Sequence, residues 1–226
     1  MISRHTIASI ALALLGGAGA SAAVATPAAS PPPAIQAFAA WAVSHHPEQA
    51  GRPWAVLDKQ RARLYLFDHA GTLTATTAVL LGSAVGDDSV PGIGDRKISE
   101  ILPFEKTTPA GRFDTEPGTN LQGEDIVWVD YDAAISMHRV RPLKGERRLQ
   151  RLASRTARDN RISYGCINVP AAFYDQWLKP SFGRAAGVLY VLPETRSAAA
   201  QFGAALPATA TAPAMSTVPP LAHATR

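Results

Sequence analysis

Cys166 is the one cysteine in this 226-residue chain, and it sits in the stretch "RISYGCINVP", residues 161–170. A single cysteine closes no disulfide within its own chain. Three roles stay open for it: a small buried hydrophobe, half of an intermolecular disulfide, or a nucleophile. A nucleophilic cysteine works as the thiolate, and so needs a base or a positive charge close by.

Histidine is the usual helper, and the chain has six: His5, His45, His46, His69, His138 and His223. His5 lies in the first few residues and His223 in the last few. His45 and His46 end a short helical stretch, and His69 falls in a turn. His138 remains. Strand alternation puts Ala134, Ser136 and His138 on one face and Ala133, Ile135 and Met137 on the other. Taken alone, a strand histidine packs as readily as it catalyses; elimination makes it the best base available to Cys166. Gly165 has two readings of similar weight. It serves a turn, or it lets the backbone amides of residues 164–166 approach a carbonyl whose oxygen gains charge.

Alternating apolar residues in "WAVLDKQ", "ARLYLFD" and "TLTATTAVLLG" predict three consecutive strands. "EDIVWVDYD" and "AAISMHRV" predict two more, and "GVLYVLP" a closing one. Gly, Pro and Asp concentrate over residues 82–123 and predict a long irregular region. "KGERRLQRLASRTARDN" predicts an amphipathic helix and "PAAFYDQWLK" a short one. The fold class is mainly β, with about seven strands and two or three helices in a single domain.

Outside that body, residues 1–22 read as an export signal: a basic start at Arg4 and His5, an apolar run of 12 residues, then Gly19-Ala20-Ser21-Ala22. The run is short of the roughly 20 residues that span a bilayer, so no stable membrane insertion is expected after signal removal. No cysteine near the cleavage region supports a lipid anchor. Residues 23–52 read as an Ala/Pro-rich linker with a short helix, residues 53–194 as the folded domain, and residues 195–226 as a disordered Ala/Pro/Thr-rich tail.

The net charge of +4 hides an asymmetry. Residues 139–161 hold nine Lys or Arg against Glu146 and Asp159, a local +7. A solvated helix face is the default reading, and attraction to carboxylate-bearing substrates the functional one. Nucleic acid is not an expected partner, because no nucleic-acid fold signature accompanies the charge. No His, Asp or Cys cluster has metal-ligand spacing, and no cofactor is expected.

His138 on a strand, followed by "SYGCIN" (residues 163–168), resembles the YkuD-type L,D-transpeptidase catalytic domain, whose signature is a histidine, a gap, then [Ser/Thr]-His-Gly-Cys-apolar-[Asn/Arg]. "TPAGRF" (108–113), "AVLDKQRARLYLFDHAGTL" and "GVLYVLP" are similar to further family segments, in the right order, over about residues 53–193. There are two departures. Tyr164 stands where the family has a second histidine, and 24 residues separate His138 from Ser163, more than the usual gap. A phenol with an ordinary pKa near 10 is no base at neutral pH.

The resemblance implies a single β-sandwich domain with a few short helices that acts, in the periplasm or cell wall, on peptidoglycan stem peptides. Cys166 would attack the carbonyl before the terminal D-alanine, His138 would move the proton, and amides near Gly165 and Cys166 would hold the oxyanion. Ser163, Tyr164 and Asn168 would fix the loop or the substrate. An amine acceptor would then give a 3→3 crosslink. Alternatives are an L,D-carboxypeptidase or amidase, and a non-catalytic wall-binding module marked by Tyr164. A papain-like protease would place its cysteine before its histidine.

Overall fold

A computed structural model describes residues 30–204; the expected export signal lies outside them. Ten strands and four short α-helices follow one another. Helix α1 (Pro33–His45) precedes strands β1 (Trp54–Asp58), β2 (Arg63–Phe67), β3 (Leu73–Ala78) and β4 (Leu81–Gly82). After a loop with three 3₁₀ turns come β5 (Gly111–Thr119), β6 (Asp125–Asp130) and β7 (Ile135–Arg139). Then follow α2 (Arg148–Leu152), β8 (Arg161–Ser163), β9 (Ile167–Val169), α3 (Ala171–Phe173), β10 (Gly187–Leu192) and α4 (Ala198–Phe202).

Eight strands form one hydrogen-bonded sheet in the order β3-β2-β1-β10-β5-β6-β7-β9. Strand β5 folds that sheet into two layers: its residues 111–115 pair with β10 and its residues 116–119 with β6. Ala55, Leu57, Leu64, Leu66, Leu189 and Val191 from one layer share a core with Val127, Val129, Ile135, Met137, Ile167 and Val169 from the other. This is the β-sandwich that the resemblance implies, with more strands than the seven expected from the sequence pattern.

Strands β1 and β10 read as near-continuous apolar runs because both their faces are covered. The second cover is α1. Ile35, Phe38, Ala39 and Ala42 pack on Trp54, Val56, Tyr65, Phe67, Val188 and Tyr190. The helix expected in a linker is therefore part of the core. Among the described residues no helix is long and apolar enough to cross a membrane.

Three expectations are corrected. Within the region expected to be irregular, residues 111–119 form the nine-residue strand β5. Pro117 and Gly118 mimic a turn in sequence, yet a Cβ on Gly118 would come within 2.5 Å of Trp128 Cδ1, so glycine is there to let the indole lie across the strand. The long amphipathic helix is reduced to α2 and a 3₁₀ turn, Ala157–Asn160, and Leu149 is exposed. Ser154 Oγ donates to Asp159 (2.6 Å) and accepts from Thr156 N (3.1 Å), offering the backbone a local alternative to helix.

The disordered tail does not begin at residue 195. Thr195 N and Arg196 N donate to the buried Asp87 carboxylate at 2.8 and 3.1 Å. Ser197 caps α4, and Phe202 stacks edge-on against Phe38, with ring centroids 5.1 Å apart. Residues 205–226 lie outside the described part of the chain. Phe202→Ala removes a half-buried ring, so a loss of about 2 kcal/mol is expected, below the ~3–5 kcal/mol of a fully buried Phe. Urea unfolding would register it as a lower midpoint at unchanged slope.

Candidate active site

Strands β7 and β9 run side by side and parallel, with His138 opposite Asn168. Along β7, Ile135 and Met137 enter the core, which turns Ser136 and His138 toward the loop that precedes β9. Cys166 ends that loop. It is half-buried, its Sγ 3.7 Å from Ser136 Oγ and 3.6 Å from Ala134 O.

His138 lies close enough to Cys166 for each side chain to shift the protonation of the other. Its Nδ1 lies 2.8 Å from Arg139 O and donates to it in the tautomer that leaves Nε2 bare for the sulfur. Burial alone would push the thiol up. The neighbouring His138 and the contact with Ser136 outweigh it and hold the thiol below its ordinary value. Burial likewise pulls His138 down, and Cys166 together with the Arg139 carbonyl more than reverses this, leaving the imidazole above its ordinary value. Each side chain favours the charged form of the other.

The loop carrying the sulfur is held from below. Ser163 Oγ donates to Cys166 O (2.7 Å) and accepts from Gly165 N (3.1 Å). Asn168 Nδ2 donates to the same Cys166 O at 3.1 Å. Gly165 has φ +139°, and a Cβ there would meet Ile135 Cδ1 at 2.5 Å and Thr107 O at 2.7 Å. Only glycine fits. Thr108 Oγ1 donates to Gly165 O (2.8 Å) and accepts from Gly82 N (2.9 Å), which gives the "TPAGRF" segment its local task.

Behind Thr108 stands a fully buried ion pair. Lys59 Nζ donates to Asp87 Oδ1 (2.7 Å), Gly86 O (2.5 Å) and Thr108 O (2.9 Å). Burial opposes the Asp87 charge, but bonds from Lys59, Thr195 and nearby amides hold its carboxyl far below the usual range. Arg161 bridges Lys59 O and the Glu194 carboxylate.

Of the sequence-derived candidates, Cys166, His138, Ser163, Gly165 and Asn168 converge on one loop. Ser163 and Asn168 have their polar atoms engaged in bracing it. Gly165 N–H is taken by Ser163, so it is not a free donor for an oxyanion. Cys166 N has no partner among the described residues. Tyr164 is 41% exposed, with Lys106 Nζ 4.0 Å over its ring; its hydroxyl bonds nothing among the described residues, so it takes no part in the Cys166–His138 network. Sequence reasoning missed Ser136, Thr108, Lys59–Asp87 and Arg148. For Ser136 the signal was there, two residues before His138 on the same strand face. Among the described residues no group of three His, Cys, Asp or Glu side chains is placed to hold a metal ion.

No family model matches the chain, and no curated protein does. Solved structures do. The catalytic domain of the Enterococcus faecium L,D-transpeptidase aligns at 16% identity and TM-score 0.35, over 62% of this chain and 96% of that one. An L,D-transpeptidase fragment from Xylanimonas cellulosilytica aligns at 13% and 0.39, over 63% and 61%. L,D-transpeptidase LdtMt1 bound to imipenem aligns at 14% and 0.38, over 62% and 58%. At these TM-scores the likeness adds nothing to the chemistry, which stands on the contacts above.

With His138→Ala, only burial and Ser136 act on the thiol. The midpoint of the pH profile for alkylation of Cys166 by iodoacetamide should then move upward. Alkylation at pH 7, followed by intact mass, should slow roughly tenfold or more.

Proposed function

We propose that this protein is an exported cysteine acyltransferase of the L,D-transpeptidase type, acting on peptidoglycan stem peptides in the periplasm or cell wall. The observation that carries the reading is the half-buried Cys166 thiol, shifted toward thiolate by His138 in a loop that only glycine can close.

In this reading the Cys166 thiolate attacks the carbonyl before the terminal D-alanine. The carbonyl oxygen takes the charge and lies against the Cys166 amide, whose N–H is unengaged among the described residues. As the C–N bond breaks, the imidazolium of His138 gives its proton to the departing amine. A thioester remains on Cys166, with a neutral imidazole beside it. An acceptor amine then loses a proton to His138 Nε2, attacks the thioester carbon and displaces the thiolate. The peptide is joined in a 3→3 crosslink, and the pair is restored to its charged form. With water as acceptor the same steps trim the peptide, and product analysis with and without an amine separates the two outcomes.

Ser163 and Asn168 fix the Cys166 carbonyl and so keep the amide on its other side pointed at the oxyanion position. Tyr164 lies outside the proton path. Lys106 and Tyr164 form an exposed edge of the loop that a substrate would pass.

The test is intact mass after exposure to imipenem and, separately, to a stem tetrapeptide. Wild type should gain a covalent adduct with each and release D-alanine from the peptide. Cys166→Ser should gain none, and His138→Ala should acylate about 10²–10⁴-fold more slowly. A wild-type protein that never acylates would favour the non-catalytic wall-binding module instead.

A further inference from the structure

The basic stretch between His138 and Ser163 does more than face solvent. Helix α2 turns Arg148 inward until its side chain is only 9% exposed, beside the nucleophile loop. Its Nε donates to Glu146 Oε2 at 2.5 Å, and one terminal nitrogen donates to Asn168 Oδ1 at 2.7 Å. Asn168 in turn holds Cys166 O, so the guanidinium is one residue removed from the reacting cysteine. His138 senses the same positive charge, which works against its protonation.

A guanidinium has five N–H groups in a rigid fork. Two nitrogens of Arg148 are spoken for. The third, Nη2, has no protein partner among the described residues, and it is not among the buried unsatisfied atoms, so it reaches solvent. That nitrogen is left to water in the free protein and is open to a ligand group that displaces it. Glu146 occupies one side of the group and Asn168 another, and an open N–H edge remains beside the loop that carries Cys166. That edge suits one ligand chemistry above others: a carboxylate, received through charge-assisted hydrogen bonds.

We propose that Arg148 is a specificity-determining residue that binds the C-terminal carboxylate of the peptide whose last residue is expelled by Cys166. The identity of the ligand as a peptide rests on the acyl-transfer reading; the capture of an anion beside Cys166 does not. The long insert then has a chemical purpose, because it brings beside the Cys166 loop an arginine not already tied up, as Arg139 of β7 is by Asp125 and Asp175.

The test compares two reagents that alkylate Cys166, iodoacetate, which carries a carboxylate, and iodoacetamide, which does not. The ratio of their rates in R148Q should fall about tenfold below wild type. R148K, which keeps the charge but not the fork, should fall in between. A brace acting only through Asn168 would slow both reagents alike and leave the ratio unchanged, which would overturn the proposal. Should R148Q fail to fold by circular dichroism, R148K decides alone: its ratio falls, or the proposal is wrong. A second arm offers a stem tetrapeptide as the free acid and as its C-terminal carboxamide. Wild type should prefer the acid and R148Q should lose that preference; equal use of both by wild type would overturn the carboxylate assignment. If neither peptide acylates Cys166, the transpeptidase reading fails, and the alkylation ratio still decides the role of Arg148.

Discussion

At position 166 two opposing effects act on one sulfur. Partial burial disfavours a thiolate, and the neighbouring imidazole favours it; the imidazole wins. The reverse holds at His138, where burial disfavours the cation and the sulfur, with the Arg139 carbonyl, favours it. Neither charge would persist in that setting alone, since an isolated charge in a low-dielectric site neutralises instead. The pair therefore depends on distance and orientation, and most of the surrounding structure fixes those two quantities.

Three layers of constraint do so. The parallel register of β7 and β9 sets His138 against Asn168, and the core side chains Ile135, Met137, Ile167 and Val169 lock that register in place. A one-residue slip would send His138 into the core and Met137 to the thiol. The loop before β9 is pinned by Ser163, Asn168 and Thr108, each holding a backbone carbonyl or amide of residues 165–166. Behind it the Lys59–Asp87 pair ties together β1, the loop near residue 87, Thr108 and the segment entering α4. A buried ion pair is a weak source of net stability. Its physical effect here is to give the loop backbone a fixed set of partners that an apolar core would not provide.

The parts of the fold legible in the sequence are those governed by local periodicity. Strands β1, β2, β3, β6, β7 and β10 follow from alternation or apolar runs, and Cys166 and His138 from residue type and elimination. What was not legible depends on contacts between distant segments. Strand β5 was hidden by Pro117 and Gly118, whose meaning depends on Trp128 lying across from them. Lys59 reads as a turn residue after a strand, and nothing local says that it is sealed under Gly86 and Thr108. Arg148 was one of nine basic residues in a block, and only the short α2 turns it inward. The segment after residue 195 reads as a low-complexity tail because a single aromatic, Phe202, is what anchors it to α1 and β10.

The measurement that bears most directly on the charged pair is an NMR titration of the His138 ring nitrogens in wild type and in Cys166→Ser. Paired with the thiolate, the imidazole should stay protonated to a pH above the ordinary histidine range. In the serine variant, where only the Arg139 carbonyl still opposes burial, its midpoint should fall well below the wild-type value. A His138 ring that titrates at the same pH in both proteins would contradict the account, because the two side chains would then not be sharing charge at all.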